Sequence, residues 1–368
     1  MRQNFFQAIG LVDMERVHSS FLGWILSEDC YAFDQETKSQ LLCNIFGAKY
    51  DEQFSIINVL VESHNFDILV LTEDDSLRKT YWIIENKVKS SQHNNQLNKY
   101  VDDLVKLANS NEKRFCLLSL ISEEPLSKKV KWHCTTYGQL ANYIENALKQ
   151  ANNSVDDYIF VKAYIECIKS LDAALQDFIA NHLDYPNVFT NGSKRKDNKP
   201  IGNAKGKHVQ FIEKNNLETI FQKAFLKILA ERMSQWKQKD YTVSETRGIA
   251  LIDYLDYMKW EEQGLESHIQ IQNGSFKVFL GEIIGKEENK VSFLNVWNDF
   301  FMSLEKKHGG WQTNKPRSKP SISISKHDKV WYTKSTEELI KTWNNIYKES
   351  KAIQDEIKDK INDIFGRS

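Results

Sequence analysis

Apolar residues recur at helical spacing across residues 2–27. Phe6, Ile9, Val17, Phe21, Leu22, Trp24 and Ile25 fall on one broad face, which predicts an opening helix. Three β-type runs follow, Phe54–Val61, Phe66–Leu71 and Tyr81–Val88. The charged, turn-like stretch Thr72–Thr80 marks the last two as adjacent and antiparallel. A helix is expected to start near Ser90 or Ser91, either of which could cap it. Leu97, Tyr100, Val101, Leu104, Val105 and Ala108 form its buried stripe. Phe115–Ile121 reads as a central strand and Lys131–Thr135 as another, with helices at about 137–150 and 155–183. The order αβββαβ predicts an α+β fold, a mixed sheet with helices packed on it.

The pattern breaks at residues 191–208, which carry six Lys/Arg against one Asp, three Gly and one Pro, and almost nothing to bury. This composition predicts a basic linker or loop between a domain of residues 1–190 and a second of residues 209–368. Gly202 to Lys207 faintly imitates a phosphate-binding loop. Its glycine spacing is one residue short, His208 stands in place of Ser/Thr, and no strand precedes it, so that reading fails.

The second domain is expected to be α+β as well. A long amphipathic helix covers Leu217 to Trp236, and a hairpin turns at Asn273-Gly274 between His268–Gln272 and Ser275–Leu280. Ser321–Ser325 and Val330–Tyr332 suggest a further hairpin. A Ser335-x-x-Glu338 capping box opens a long closing helix. Its seam of Leu339, Trp343, Ile346, Ile353, Ile357 and Ile364 wants a partner, and a homodimer through this helix is the expectation.

Composition excludes several classes. Five scattered cysteines with no C-x-x-C pair argue against a zinc ribbon or a disulfide framework, and read as buried free thiols. No apolar run reaches the roughly 20 residues a bilayer span needs, and no signal peptide opens the chain, so a cytoplasmic protein without a membrane partner is expected. A formal net charge of −1 means that a nucleic-acid partner would be met by a local basic patch.

The chemistry lies in charges that interrupt apolar strands. Period-two alternation puts Tyr81, Ile83, Glu85 and Lys87 on one face, with the two charged groups roughly 7 Å apart. On the neighbouring strand Asp67 interrupts Phe66-Asp67-Ile68-Leu69-Val70-Leu71. Such charges are costly unless they pair or hold a metal. Two carboxylates and an ammonium suit phosphodiester hydrolysis: the acids hold a divalent cation and the lysine positions water. Oxygen donors without a Cys or His cluster favour Mg²⁺, with Mn²⁺ as a substitute. Glu15-x-x-His18 and Glu305-x-x-His308 also suggest a carboxylate di-iron bundle, but that fold needs two further helical glutamates, and the strands argue against it.

Asp67 followed by Glu85-Asn86-Lys87 resembles the PD-(D/E)xK nuclease superfamily, over about residues 10–135, with Phe66 in place of the proline of its name. Gln96-Leu97-Asn98-Lys99-Tyr100 looks like the Q-x-x-x-Y motif of its exonuclease-like branch. The resemblance implies an αβββαβ core and a Mg²⁺-dependent nuclease acting on nucleic acid, expected to be DNA, in phage defence or DNA processing. It further implies that Gln96 and Tyr100 orient the site, and that Glu15, in an E-x-x-H-S opening helix, joins Asp67 and Glu85 as a metal ligand. The competing reading is a catalytically silent nucleic-acid-binding or scaffold protein that keeps the fold.

Overall fold

Five strands build the first sheet, in the order β1-β2-β3-β4-β5. They are Phe54–Ser63 (β1), Phe66–Asp74 (β2), Lys79–Lys87 (β3), Glu112–Ser119 (β4) and Trp132–Thr136 (β5). The computed structural model describes residues 5–50, 54–63, 65–89, 97–99, 101–102, 111–125, 129–189, 204–233, 235–236, 240–246, 248–283, 290–314 and 320–366. β1/β2 and β2/β3 are antiparallel, while β3/β4 and β4/β5 are parallel, so β3 is central and the sheet is mixed as the sequence predicts.

The helices of this unit begin with Phe5–Ala8 (α1), Glu15–Leu26 (α2) and Gln35–Ile45 (α3). The single helix expected over 2–27 is therefore broken. Gly10 takes a left-handed φ of +72°, and α2 restarts after Met14. Helix α3 is absent from the sequence reading. It is capped by Asp34, whose side chain accepts from the Thr37 N–H, and it buries Leu41, Leu42 and Ile45. α2 lies close on β1, because a Cβ on Gly23 would stand 2.3 Å from Val61 Cγ2. Tyr137–Leu148 (α4), entered through a Thr136–Gln139 capping box, and Asp156–Ala180 (α5) match the helices expected at 137–150 and 155–183.

The chain divides into two compact units, Met1–Ala180 with Lys207–Ile220, and Asn181–Gly206 with Phe221–Ser368. The expected boundaries at 190 and 209 shift for local packing reasons. Val209–Lys214 (α6) joins the first unit, burying Ile212 and donating from Lys214 Nζ to the Gln7 carbonyl at 3.2 Å. Residues 181–189 join the second, with His182 and Phe189 against the ring of Phe225. Most of the basic stretch, residues 191–203, lies outside the described residues. Within the rejected phosphate-loop match, the amides of Lys205 and Gly206 both donate to the Asp184 carbonyl.

In the second unit Glu218–Arg232 (α7) contributes from Phe221 onward. The sheet has the order β10-β11-β9-β8-β7-β6 and is antiparallel throughout. Its strands are Thr242–Thr246 (β6), Ile249–Trp260 (β7), Leu265–Gln272 (β8), Ser275–Glu282 (β9), Gln312–Asn314 (β10) and Ser321–His327 (β11). The Asn273-Gly274 hairpin forms as expected, both residues at positive φ (50° and 68°). The second expected hairpin does not form. β11 pairs with β9 and β10, and Trp331–Thr333 is a 3₁₀ turn because Trp331 is buried against Phe189 and Trp343.

Lys290–Lys307 (α8) packs on β10 and β11. The closing helix Thr336–Phe365 (α9), with its capping box formed, packs on β8 and β9. Its seam is covered within the chain: Leu339, Trp343, Ile353 and Ile357 have no solvent exposure, and only Ile364 is exposed. The premise for a dimer through this helix is thereby removed. Among the described residues no helix is long and apolar enough to cross a membrane, and Cys30, Cys43, Cys116 and Cys167 are buried free thiols, with Cys134 half-buried.

Candidate active site at the ends of β2 and β3

β3 becomes wholly buried toward its C-terminal end, where a central strand with neighbours on both sides leaves solvent little access. Glu85 is 0%, Asn86 1% and Lys87 8% exposed. Ile68 pairs with Ile84, so Asp67 and Glu85 stand opposite each other one step further along. Alternation places Asp67, Glu85 and Lys87 on the sheet face of Leu69 and Ile83, which pack with Phe115, Leu117, Leu97 and Val101. That cluster is the apolar floor from which the three charges project.

The contacts are short. Lys87 Nζ lies 2.7 Å from Glu85 Oε1. The Asn86 N–H donates to Asp67 Oδ2 at 2.7 Å. Glu15, the first residue of α2, accepts with Oε1 from the amides of Val88 and Lys89, at 2.8 and 2.9 Å. It therefore holds the chain as it leaves β3. Lys89 Nζ also pairs with Asp13, just ahead of α2.

Burial raises the Asp67 carboxyl above its ordinary range, and the charges of Glu62 and Glu15 push the same way against the Asn86 amide and Lys87. Burial disfavours the Lys87 ammonium, yet Glu85 foremost, then Glu15 and Asp67, hold its pKa above the usual lysine value. The Asp67 shift comes first from burial and the Lys87 shift from the carboxylates around it, Glu85 foremost.

This donor set suits a hard divalent cation bound through Asp67 and Glu85, with waters completing its coordination. Glu15 Oε1 is engaged by the Val88 and Lys89 amides. Among the described residues no group of three or more His, Cys, Asp or Glu is arranged to hold a metal ion. Gln96 and Tyr100 lie outside the described residues; their neighbours Leu97 and Val101 are buried in the floor cluster. His18 does not face the site. Its Nε2 contacts the Val12 carbonyl at 2.7 Å and its Nδ1 the Tyr164 hydroxyl at 3.2 Å, both in buried surroundings.

The sequence reading missed a second, polar layer behind the strand. Asn86 points to the opposite sheet face, where its Nδ2 donates to the Glu15 carbonyl (2.9 Å) and to Ser19 Oγ (3.0 Å). Its Oδ1 accepts from the Tyr137 hydroxyl at 2.7 Å. The available signal was parity: Asn86 takes the alternation of Trp82 and Ile84, both fully buried.

Residues 3–166 match the family model of the PD-(D/E)XK nuclease superfamily. No curated protein and no solved structure matches the chain.

Proposed function

With residues 3–166 in the PD-(D/E)XK nuclease superfamily, we propose that this chain is a Mg²⁺-dependent nuclease that hydrolyses phosphodiester bonds of DNA. The observation that carries the reading is the set Asp67, Glu85 and Lys87 on one face at adjacent strand ends, buried together with Lys87 paired to Glu85. A bound divalent cation supplies Lewis-acid polarisation of the scissile phosphate and an acidified water. Asp67 and Glu85 are the carboxylates that would hold it. Lys87 orients the attacking water and offsets charge on the phosphoryl oxygens, a role its high pKa suits because it remains an ammonium. Glu15 fixes the end of β3 through the Val88 and Lys89 amides. Gln96 and Tyr100 are proposed to orient substrate, on the motif alone. Phage defence or DNA processing is the proposed setting, resting on the family resemblance.

The test is cleavage of duplex DNA, single-stranded DNA and RNA by the full chain, with Mg²⁺ and with excess EDTA. Mg²⁺-dependent cleavage, with DNA preferred and with loss in Asp67→Asn and Glu85→Gln, is the expected result. Undiminished cleavage in EDTA would overturn the mechanism. Absence of cleavage of every substrate under Mg²⁺ or Mn²⁺ would favour the silent nucleic-acid-binding alternative.

A further inference from the structure

We propose that Asn86, the residue between Glu85 and Lys87, is a positioning residue that sets the geometry of the acids around it. The inference rests on the reading of Asp67 and Glu85 as a metal-binding pair. Asn86 acts on both sheet faces at once. On the site face, its main-chain N–H holds Asp67 Oδ2 at 2.7 Å. On the other face, its side chain joins the first two turns of α2, through the Glu15 carbonyl and Ser19 Oγ, to Tyr137 at the start of α4. Ser19 Oγ in turn donates to the Glu15 carbonyl at 3.0 Å, which closes the network.

The three side chains are shielded from water, Asn86 and Ser19 at 1% and Tyr137 at 0% exposure, while Glu15 is half-buried. In such surroundings a hydrogen bond is strong, and a lost partner leaves a buried polar group with no water to replace it. The network therefore resists rotation of the β3 end about its own axis. That rotation is the motion that would turn Glu85 and Lys87 off their shared face and carry the amide away from Asp67. The same Glu15 that offers its carbonyl to Asn86 clamps Val88 and Lys89 with its carboxylate, so α2 grips β3 on both sides of Lys87.

Two variants test the role in the full chain. Tyr137→Phe removes one hydroxyl and leaves the ring in the core. Asn86→Asp keeps the acceptor for Tyr137 but loses both donated bonds. Its added negative charge would by itself attract a cation, so weaker metal binding in this variant cannot arise from charge.

Mn²⁺ affinity is read by calorimetry, and cleavage is read as kcat and KM. We expect the Mn²⁺ Kd to rise about 10–100-fold, the range found for residues that orient metal ligands, with kcat falling similarly and KM for DNA unchanged. A Tyr137→Phe protein that melts lower yet binds Mn²⁺ like the wild type would overturn the proposal, even if Asn86→Asp fails to fold. Wild-type Mn²⁺ binding without cleavage, weakened by both variants, would sustain the positioning role and overturn the nuclease reading. A wild type that binds no Mn²⁺ overturns both.

Discussion

His18 gives the fold an acid sensitivity whose size can be worked out. The ring is fully buried, and burial pushes its pKa from 6.5 down to about 4 against the upward pull of the Val12 carbonyl, Glu15 and Asp13. The folded state therefore keeps His18 neutral where the unfolded chain protonates it. Below pH 6.5 the unfolded state binds the extra proton, so the contribution to stability is lost as pH falls from about 6.5 to about 4. Moving the pKa from 6.5 to about 4, at about 1.36 kcal/mol for each tenfold change in proton affinity, makes that loss about 3 kcal/mol. Against total stabilities of about 5–15 kcal/mol, this is a large share. The assay is urea unfolding of wild type and His18→Gln at pH 7.5, 5.5 and 4. Gln retains an N–H for the Val12 carbonyl and does not titrate. Carboxylate titrations common to both proteins cancel in the difference. The stability gap between the two should shrink by about 3 kcal/mol on acidification. A gap independent of pH would refute the reasoning and place His18 in contact with water.

Lys87→Ala takes the ammonium from a fully buried Glu85, and the loss of one member of a buried ion pair costs about 3–5 kcal/mol. The variant should melt lower in EDTA, recover in part with Mg²⁺ and cut no DNA; an unchanged melting temperature in EDTA would refute the pairing. Gly23→Ala places a methyl 2.3 Å from Val61 Cγ2 and should destabilise by about 1–3 kcal/mol, with Val61→Ala restoring most of the loss in denaturant titrations. Ile357→Asp should unfold the second unit, seen as lost near-UV circular dichroism, because Ile357 is fully enclosed within the chain. A folded variant that sediments more slowly than wild type would reinstate the dimer.

That Asp67, Glu85 and Lys87 come together on one sheet face was legible in the sequence, because charges stand out in strands whose other positions are apolar and period two fixes which of them share a face. The mixed sheet was legible for the same reason, since each strand of the first unit carries its own apolar run. Helix α3 was not, because its first turn, Gln35-Glu36-Thr37-Lys38, is polar and yet Thr37 and Lys38 are buried by tertiary contacts. The role of Glu15 was hidden too. Its carboxylate meets main-chain amides 73 and 74 residues away, and no side-chain pattern marks an amide as a partner. The seam on α9 was visible, but not what covers it, because apolar spacing looks the same whether it faces a sheet or another copy. Trp331 was assigned to a strand on β propensity, while its burial among rings selects a 3₁₀ turn.

β3 runs antiparallel to β2 and parallel to β4, with Lys87 beside Ser119 at their shared end. Two consecutive connections of the chain thus depart from one rim, next to the acids, while the strands beneath are pinned from behind by α2 and α4. Such an arrangement separates what can change from what cannot. Positions of these connections that neither pack in the floor, as Leu97 and Val101 do, nor are held by Glu15, as Val88 and Lys89 are, can exchange side chains without disturbing the register that sets Asp67 against Glu85. Under the proposed nuclease reading, selection for a new target would act on those rim positions, and directed evolution could begin there.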